Sequence, residues 1–317
     1  MPACPTATIP PRVRVAIGPE RPGIGSWDWV GQDLAESLQA EFAVSTFRDE
    51  VPACDVAVLV KQPPSVGWGD QLPAGVRLID CPIDRYGSAG EIDADWRLLR
   101  RASRVVAHSP LLARYFCSYA RVEVLDHHLK YSIRLRESFL DDGPLLWTGV
   151  WLNLRPLVDW VNRHTLPAEL HVLTNFEGHA CRSAGDFGFR ARNRVRVSEW
   201  TPARHATVLR ESRGAIDIKG EDFRARHKPA AKAMDVLASG VPLAMNLDSS
   251  SARVLQQRGF QLAAPHDFER WLSRDYWEQT RDFGRMLQET LTLPRIAGRF
   301  ADIVRQVLAE EQHVDAA

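Results

Sequence analysis

Residues 216–246, IDIKGEDFRARHKPAAKAMDVLASGVPLAMN, hold three of the chain's five lysines, Lys219, Lys228 and Lys232, together with Arg224, Arg226 and His227. Cationic groups crowded ahead of a short helical run suit one task, holding an anion. Lys228, Lys232 and Asp235 recur at i, i+4 and i+7 and so share one side of a helix, while Ala233, Met234, Val236 and Leu237 give it an apolar side. Pro229 fits the first helical position, where its missing N–H costs nothing, and Gly240 fits the left-handed position just past the end. A basic loop leading into a helix N-terminus, whose free N–H groups carry partial positive charge, favours a phosphate. Asp235, one turn deeper, is placed to accept hydrogen bonds from ribose hydroxyls. The same spacing also describes an ordinary α/β unit with a solvated Lys/Asp face, and spacing alone leaves both readings open.

The elements that must position these groups are a strand over 215–218, a polar loop over 219–228, a helix over 229–239 and a strand over 241–245, which together make a βαβ unit. KPAAKAMDVLASGVPLAMN resembles the C-terminal signature of retaining GT-B glycosyltransferases of the family 4 or "group 1" type, K-P-x-x-K-x-x-E-A-M-A-x-G-x-P-V-V. In that family the glutamate after the second lysine holds the nucleotide ribose, and it falls on Asp235. The family's partner glutamate, eight residues upstream, is His227 here. WTGVWLNLRPLVDWV resembles the family's v-G-R-x-x-x-x-K-G-x-x-x-L-i, in which an arginine one residue after the glycine and a lysine six after it bind the donor diphosphate. Gly149 matches the glycine, and Arg155, six residues on, keeps the charge and adds a bidentate fork. Val150 stands where the arginine would be, a place open to Lys228, Lys232 or Arg224.

The resemblance implies retaining, metal-independent transfer of a sugar from a nucleotide-diphosphate sugar, with no tightly bound cofactor. Arg155 and Lys232 would stabilise the departing diphosphate, assisted by the helix start at Pro229. In GT-B enzymes the loop after an RVRV-type strand meets the nucleotide base, which makes Glu199, Trp200 and Thr201 base-side candidates. The acceptor stays open among glycan, lipid-linked, protein, small-molecule and nucleic-acid classes. Two rival readings are a GT-B-shaped binding or partner subunit without chemistry, to which Val150 and His227 point, and a GT-B sugar-nucleotide epimerase.

The first half of the chain shows the same alternation. A strand over 12–18, a glycine-containing loop over 19–29 and a helix over 30–42 open a Rossmann-like unit, without a G-x-G-x-x-G fingerprint. Further strands are expected over 43–47, 54–61 and 76–81, from 104 up to Ser109-Pro110, and over 121–125. By analogy with the GT-B cleft, Gly25, Ser26, Trp27 and Asp28 are acceptor-side candidates. Asp80, with Asp84, closes its strand at the C-terminal end, where open α/β sheets place ligands; it reads as part of a paired-carboxylate base or as a cap and turn. His108, at the end of the next strand, reads as facing the cleft or as structural. Asp93-Ala94-Asp95 imitates a D-x-D metal motif and reads better as a helix start. In the second half, strands are expected over 145–148, 169–174 and 194–197, a long loop over 175–193, and closing amphipathic helices over 268–291 and 295–311.

The reading is therefore α/β: two Rossmann-like domains facing across a cleft, residues 1–140 on the acceptor side and 141–317 on the donor side, with the terminal helix crossing back to the first. A chain of 317 residues suits two domains of about 150 each. Forty basic residues balance forty acidic ones, which argues against a bulk-electrostatic nucleic-acid binder, although arginines between 182 and 196 could track a backbone or simply be solvated. Cys4, Cys54, Cys81, Cys117 and Cys181 are scattered without a C-x-x-C pair, as expected of a reducing, cytoplasmic setting without structural zinc. No run approaches the roughly 20 apolar residues of a membrane span, and the N-terminus lacks signal-peptide character, so the protein is expected to be soluble or peripheral to a membrane.

Overall fold

The computed structural model describes residues 12–176 and 183–310. The first sheet comprises β1 (Arg14–Gly18), β2 (Ala43–Thr46), β3 (Val56–Val60), β4 (Arg77–Cys81), β5 (Arg104–Ala107) and β6 (Val122–Val124). The second comprises β7 (Leu145–Thr148), β8 (Leu170–Thr174), β9 (Val195–Glu199), β10 (Gly214–Asp217) and β11 (Leu243–Met245). Every strand coincides with one expected from the sequence. The orders are β2-β1-β3-β4-β5-β6 and β11-β10-β7-β8-β9, with all neighbours parallel. Parallel strands need helical crossovers, which cover both sheet faces; accordingly β3, VAVLV, is buried at every position. Each order reverses once, between β1 and β3 in the first sheet and between β7 and β10 in the second. At such reversals the flanking loops diverge and leave a crevice at the carboxyl ends of the strands. The fold is two Rossmann-like sheets of the GT-B type.

Several helices differ from expectation. The polar 219–228 segment contains a helix of its own, Phe223–His227, capped by Asp222, whose Oδ1 accepts the Ala225 N–H at 2.9 Å. Pro229 forces Lys228 out of the helical region, to φ −58 and ψ 144, which ends that helix. The next helix is Ala231–Ala238, so Pro229 stands before it rather than at its first position. It closes as expected: Gly240 has φ +71, its N–H reaches Leu237 O at 2.9 Å, and the Val241 N–H reaches Val236 O at 3.3 Å.

Gly25 and Ser26 are helical, and the helix runs on through a π turn over Trp27–Gln32 into Asp33–Leu38. The Trp27 ring lies where a Cβ on Gly31 would be, 2.1 Å from the nearest ring atom, and Trp27 is core. The expected 268–291 helix breaks into Phe268–Trp271 and Arg274–Thr290, where the Ser273 hydroxyl accepts the Tyr276 N–H at 3.2 Å.

Residues 125–144 are a packed connection. His128 Nε2 and Lys130 Nζ meet Asp33 Oδ2 at 2.8 and 2.5 Å on one side. On the other, the Lys130 N–H reaches Asp235 Oδ1 at 3.0 Å and the Ile133 N–H reaches Ser239 Oγ at 3.0 Å. The last helix, Leu293–Ala309, lies against Asp33–Leu38 and β4; Arg299 donates to Val124 O at 3.1 Å, and Arg305 pairs with Glu41. Among the described residues, no helix is long and apolar enough to cross a membrane.

Candidate functional site

At the β7/β10 reversal lies a cavity of about 260 Å³ whose polar walls include Asn153, Arg155, Asp217, Lys219, Asp222, Lys228 and Lys232, with Trp147 beneath. β10 ends in Asp217 and Lys219 follows it, so both side chains project from the carboxyl edge of the strand. Lys219 Nζ pairs with Asp217 Oδ2 at 2.7 Å, Lys228 Nζ donates to Asn153 Oδ1 at 3.0 Å, and Lys232 Nζ donates to Thr148 O at 3.0 Å. Lys232 also stands 5.7 Å from the Trp147 ring centroid.

Burial pushes the Lys232 pKa down to about 7, with repulsion from Lys219 and Lys228 adding to the effect and Asp217 opposing it. Lys228 is lowered as well, first by burial and then by Lys219. Burial works against ionisation of Asp217, yet Lys219, Lys232 and Lys228 together hold its pKa below the ordinary carboxylate value. The chamber thus concentrates positive charge that its own carboxylates do not cancel, and charge of this kind binds and stabilises a polyanion. The Trp147 Nε1–H is buried and without a partner among the described residues.

The residues expected at the donor site divide. Lys228 and Lys232 line the chamber, and Gly149 lies beside it: a Cβ there would come within 2.7 Å of the Trp147 ring and 3.1 Å of Lys232 Nζ. Arg155 stands at the rim as the first residue of the helix Arg155–Val161; its side chain is 83% exposed and its Nε bonds Asp159 Oδ2 at 2.9 Å. Asp235 turns away from the chamber. It is 2% exposed, its carboxylate takes the backbone N–H of Lys130 and faces those of Tyr131 and Ser132, and burial raises its pKa to about 7.

His227 is drawn into a ring cluster with Phe223, at 4.1 Å, and with Tyr115 of the first half, at 5.4 Å. Arg224 leaves the chamber and donates to Arg85 O at 3.1 Å. Trp200 packs edge-on to Tyr131 at 5.1 Å; Glu199 is exposed; Thr201 caps the helix Pro202–Glu211 by accepting the Arg204 N–H at 3.1 Å. Sequence spacing left Asp217 unnamed, placed Lys219 only among the lysines of the basic stretch, and missed Asn153 and Trp147. Its one clue to the first two was polar residues directly after the apolar strand Ala215-Ile216, at the carboxyl end where open sheets bind ligands.

On the first sheet the acceptor-side candidates are placed differently from a cleft loop. Gly25 and Ser26 are in a helix rather than a cleft loop, and Trp27 is core. The Asp28 carbonyl accepts Lys130 Nζ at 3.1 Å, and burial raises the Asp28 side-chain pKa. Asp80 is fully buried against the Arg85 guanidinium, so it anchors that side chain instead of serving as a base. His108 is buried, with Nδ1 2.6 Å from Leu125 O and its ring 4.3 Å from that of His127; burial lowers its pKa to about 4. Cys4, Cys181 and Arg182 lie outside the described residues.

Two parallel sheets, each with a crevice at its reversal, define the GT-B class of fold, and comparison with solved structures agrees. The chain matches sucrose-phosphate synthase from Thermosynechococcus elongatus with a TM-score of 0.70 at 14% identity, covering 94% of this chain and 100% of that one. It matches the Anabaena protein Alr3699/HepE, solved in complex with UDP-glucose, with a TM-score of 0.64 at 12% identity over 93% and 100% of the two chains. It matches AviGT4, a glycosyltransferase involved in avilamycin A biosynthesis, with a TM-score of 0.62 at 13% identity over 94% and 98%. No protein-family model matches the sequence, and no curated protein matches it. The likeness is one of fold, and that fold is the one used by GT-B glycosyltransferases.

Proposed function

We propose that the protein transfers a sugar from a nucleotide-diphosphate sugar to an acceptor, and that the lysine chamber at the β7/β10 reversal receives the donor diphosphate. The observation that carries the reading is the convergence of Lys219, Lys228 and Lys232 on one cavity, with Asp217 holding only one of them in an ion pair. Cleavage of the sugar–oxygen bond leaves extra negative charge on the diphosphate. Fixed ammonium groups therefore stabilise the transition state more than the bound donor, each by about 3 kcal/mol at comparable preorganised sites. Lys232, deepest and beside Gly149, carries the largest share; Arg155 at the rim adds a smaller one. The motif resemblance supports retention of configuration.

The test is a thermal-shift and calorimetry series with UDP, GDP, ADP, dTDP and their sugars, beginning with UDP because the similar HepE was solved with UDP-glucose. One nucleotide should raise the melting temperature of the native protein. Lys232→Ala should lower that affinity at least tenfold and turnover at least a hundredfold with the circular dichroism spectrum unchanged. A chain indifferent to all four nucleotides, or a variant with wild-type affinity, ends the proposal.

A second reading, a nucleotide-binding partner subunit without transferase chemistry, is favoured by Asp235 and His227, since neither position of the family's carboxylate pair lines the chamber. Donor hydrolysis or transfer by the purified chain decides between the two.

A further inference from the structure

The first sheet has its own reversal, and a second cavity of about 190 Å³ opens there. Arg21 comes from the loop after β1, Lys61 and Gln62 follow β3 directly, and Asp84 and Arg85 follow β4. Arg224 reaches in from the Phe223–His227 helix of the other half, the helix whose Ala225 lines the lysine chamber. The two cavities are electrostatic neighbours: Lys228 in one and Asp84 in the other each shift the titration of the other.

The second cavity is cationic beyond what its own structure needs. Arg85 is committed to Asp80 and Asp95. Lys61 Nζ meets Asp84 Oδ1 at 2.8 Å, Arg21 Nη1 donates to Gln62 Oε1 at 3.0 Å, and Arg224 Nη2 donates to Arg85 O at 3.1 Å. Among the described residues Asp84 is thus the one carboxylate lining the cavity against Arg21, Lys61 and Arg224, and both of these guanidinium groups have further N–H donors. The backbone is also strained here. Lys61 and Ile83, with φ of +66 and +55, are the non-glycine residues with left-handed backbone among the described residues, and they sit at the ends of the adjacent strands β3 and β4. For β-branched Ile83 this conformation is costly, and strain of this kind collects where a ligand must be met.

We infer that this cavity binds an oxyanion, phosphate or carboxylate, carried by the acceptor, so that the acceptor is an anionic small molecule rather than a neutral one. The inference rests on the reading of the lysine chamber as the donor site, because it assigns the acceptor to the neighbouring crevice. Two planar guanidinium groups and an ammonium lining one cavity suit a group with several negative oxygens.

Calorimetry on the full-length protein tests it, with inorganic phosphate, glucose 6-phosphate, glucuronate and glucose as probes and UDP as the control ligand. At least one charged probe should bind, and glucose should bind at least tenfold more weakly. Arg21→Glu and, separately, Arg224→Gln should lower the charged probe's affinity tenfold or more while UDP affinity changes less than twofold. Binding of the phosphorylated probes alone identifies a phosphate, and binding of glucuronate alone a carboxylate. The inference falls if no charged probe binds, if glucose binds as tightly, or if Arg21→Glu retains wild-type affinity. It also falls if Lys232→Ala abolishes probe binding together with UDP binding, because the anion then occupies the lysine chamber. Failure of the wild type to bind any nucleotide would instead overturn the donor reading, a result distinct from every one of these.

Discussion

An ammonium with a pKa near 7 is half deprotonated in neutral solution, and burial and two neighbouring lysines hold Lys232 there. A diphosphate arriving beside Nζ favours the charged form, so binding raises this pKa. Between the free value of about 7 and the higher bound value, complex formation takes up a proton. Affinity for the nucleotide-diphosphate sugar, whose diphosphate has no terminal phosphate to titrate near neutrality, should therefore level off below pH 7 and fall above it, by up to about tenfold per pH unit. Calorimetry at pH 8 in buffers of different ionisation enthalpy should register the uptake, and Lys232→Arg, which stays charged, should remove both the uptake and the slope. A wild type with neither would show that the anion does not meet Lys232. Gly149 offers an independent probe of the same spot. A Cβ there intrudes on the Trp147 ring and on Lys232 Nζ, so Gly149→Ala should cut nucleotide affinity at least tenfold with a melting temperature within a few degrees of wild type; unchanged affinity would place the ligand elsewhere.

At the scale of elements, the helix Ala231–Ala238 serves two neighbours. Its first turn presents Lys232 to the chamber, and its last turns hold the 125–144 connection through Asp235 and Ser239. Asp235→Ala would strand the buried Lys130 N–H and expose its neighbours to the same loss, a cost of about 2–4 kcal/mol. The expected signature is a lowered urea midpoint with nucleotide affinity kept; intact stability with lost affinity would return Asp235 to the ribose. This division of labour marks how far the sequence could be read. Apolar runs and alternation locate all the strands, because burial on both faces leaves little choice of residue; Lys228 and Lys232 do meet at one cavity, although Lys228 precedes the helix and shares no helical face with Lys232. The partner of Asp235 is 105 residues away in the chain, and periodicity names a helix face without naming what covers it. Arg155 illustrates a different limit: Asp159 stands four residues on along the same helix and competes for the guanidinium the chamber was expected to take.

For the molecule as a whole, the terminal helix Leu293–Ala309 ties the end of the chain back to the first sheet. Its chain position belongs to the second half, yet it rests on Asp33–Leu38 and β4 of the first, and Arg104 of β5 pairs with Glu310 just beyond its end. Ile296, Phe300, Ile303, Val304 and Val307 are buried along it. At about 1.5–3 kcal/mol each, their burial amounts to roughly 7–15 kcal/mol as an upper bound, comparable to the net stability of about 5–15 kcal/mol of a typical domain. The interface adds direct contacts between the halves, Ser109 Oγ to Ser250 Oγ at 2.6 Å and Arg258 to Asp126 at 2.5 Å. The full chain should therefore melt in a single cooperative transition by calorimetry. Residues 12–140 produced alone should show no cooperative melt, and joining residues 293–310 to them through a flexible linker should restore one. If residues 12–140 melted cooperatively without the helix, the first sheet would be complete in itself and the helix an addition to it.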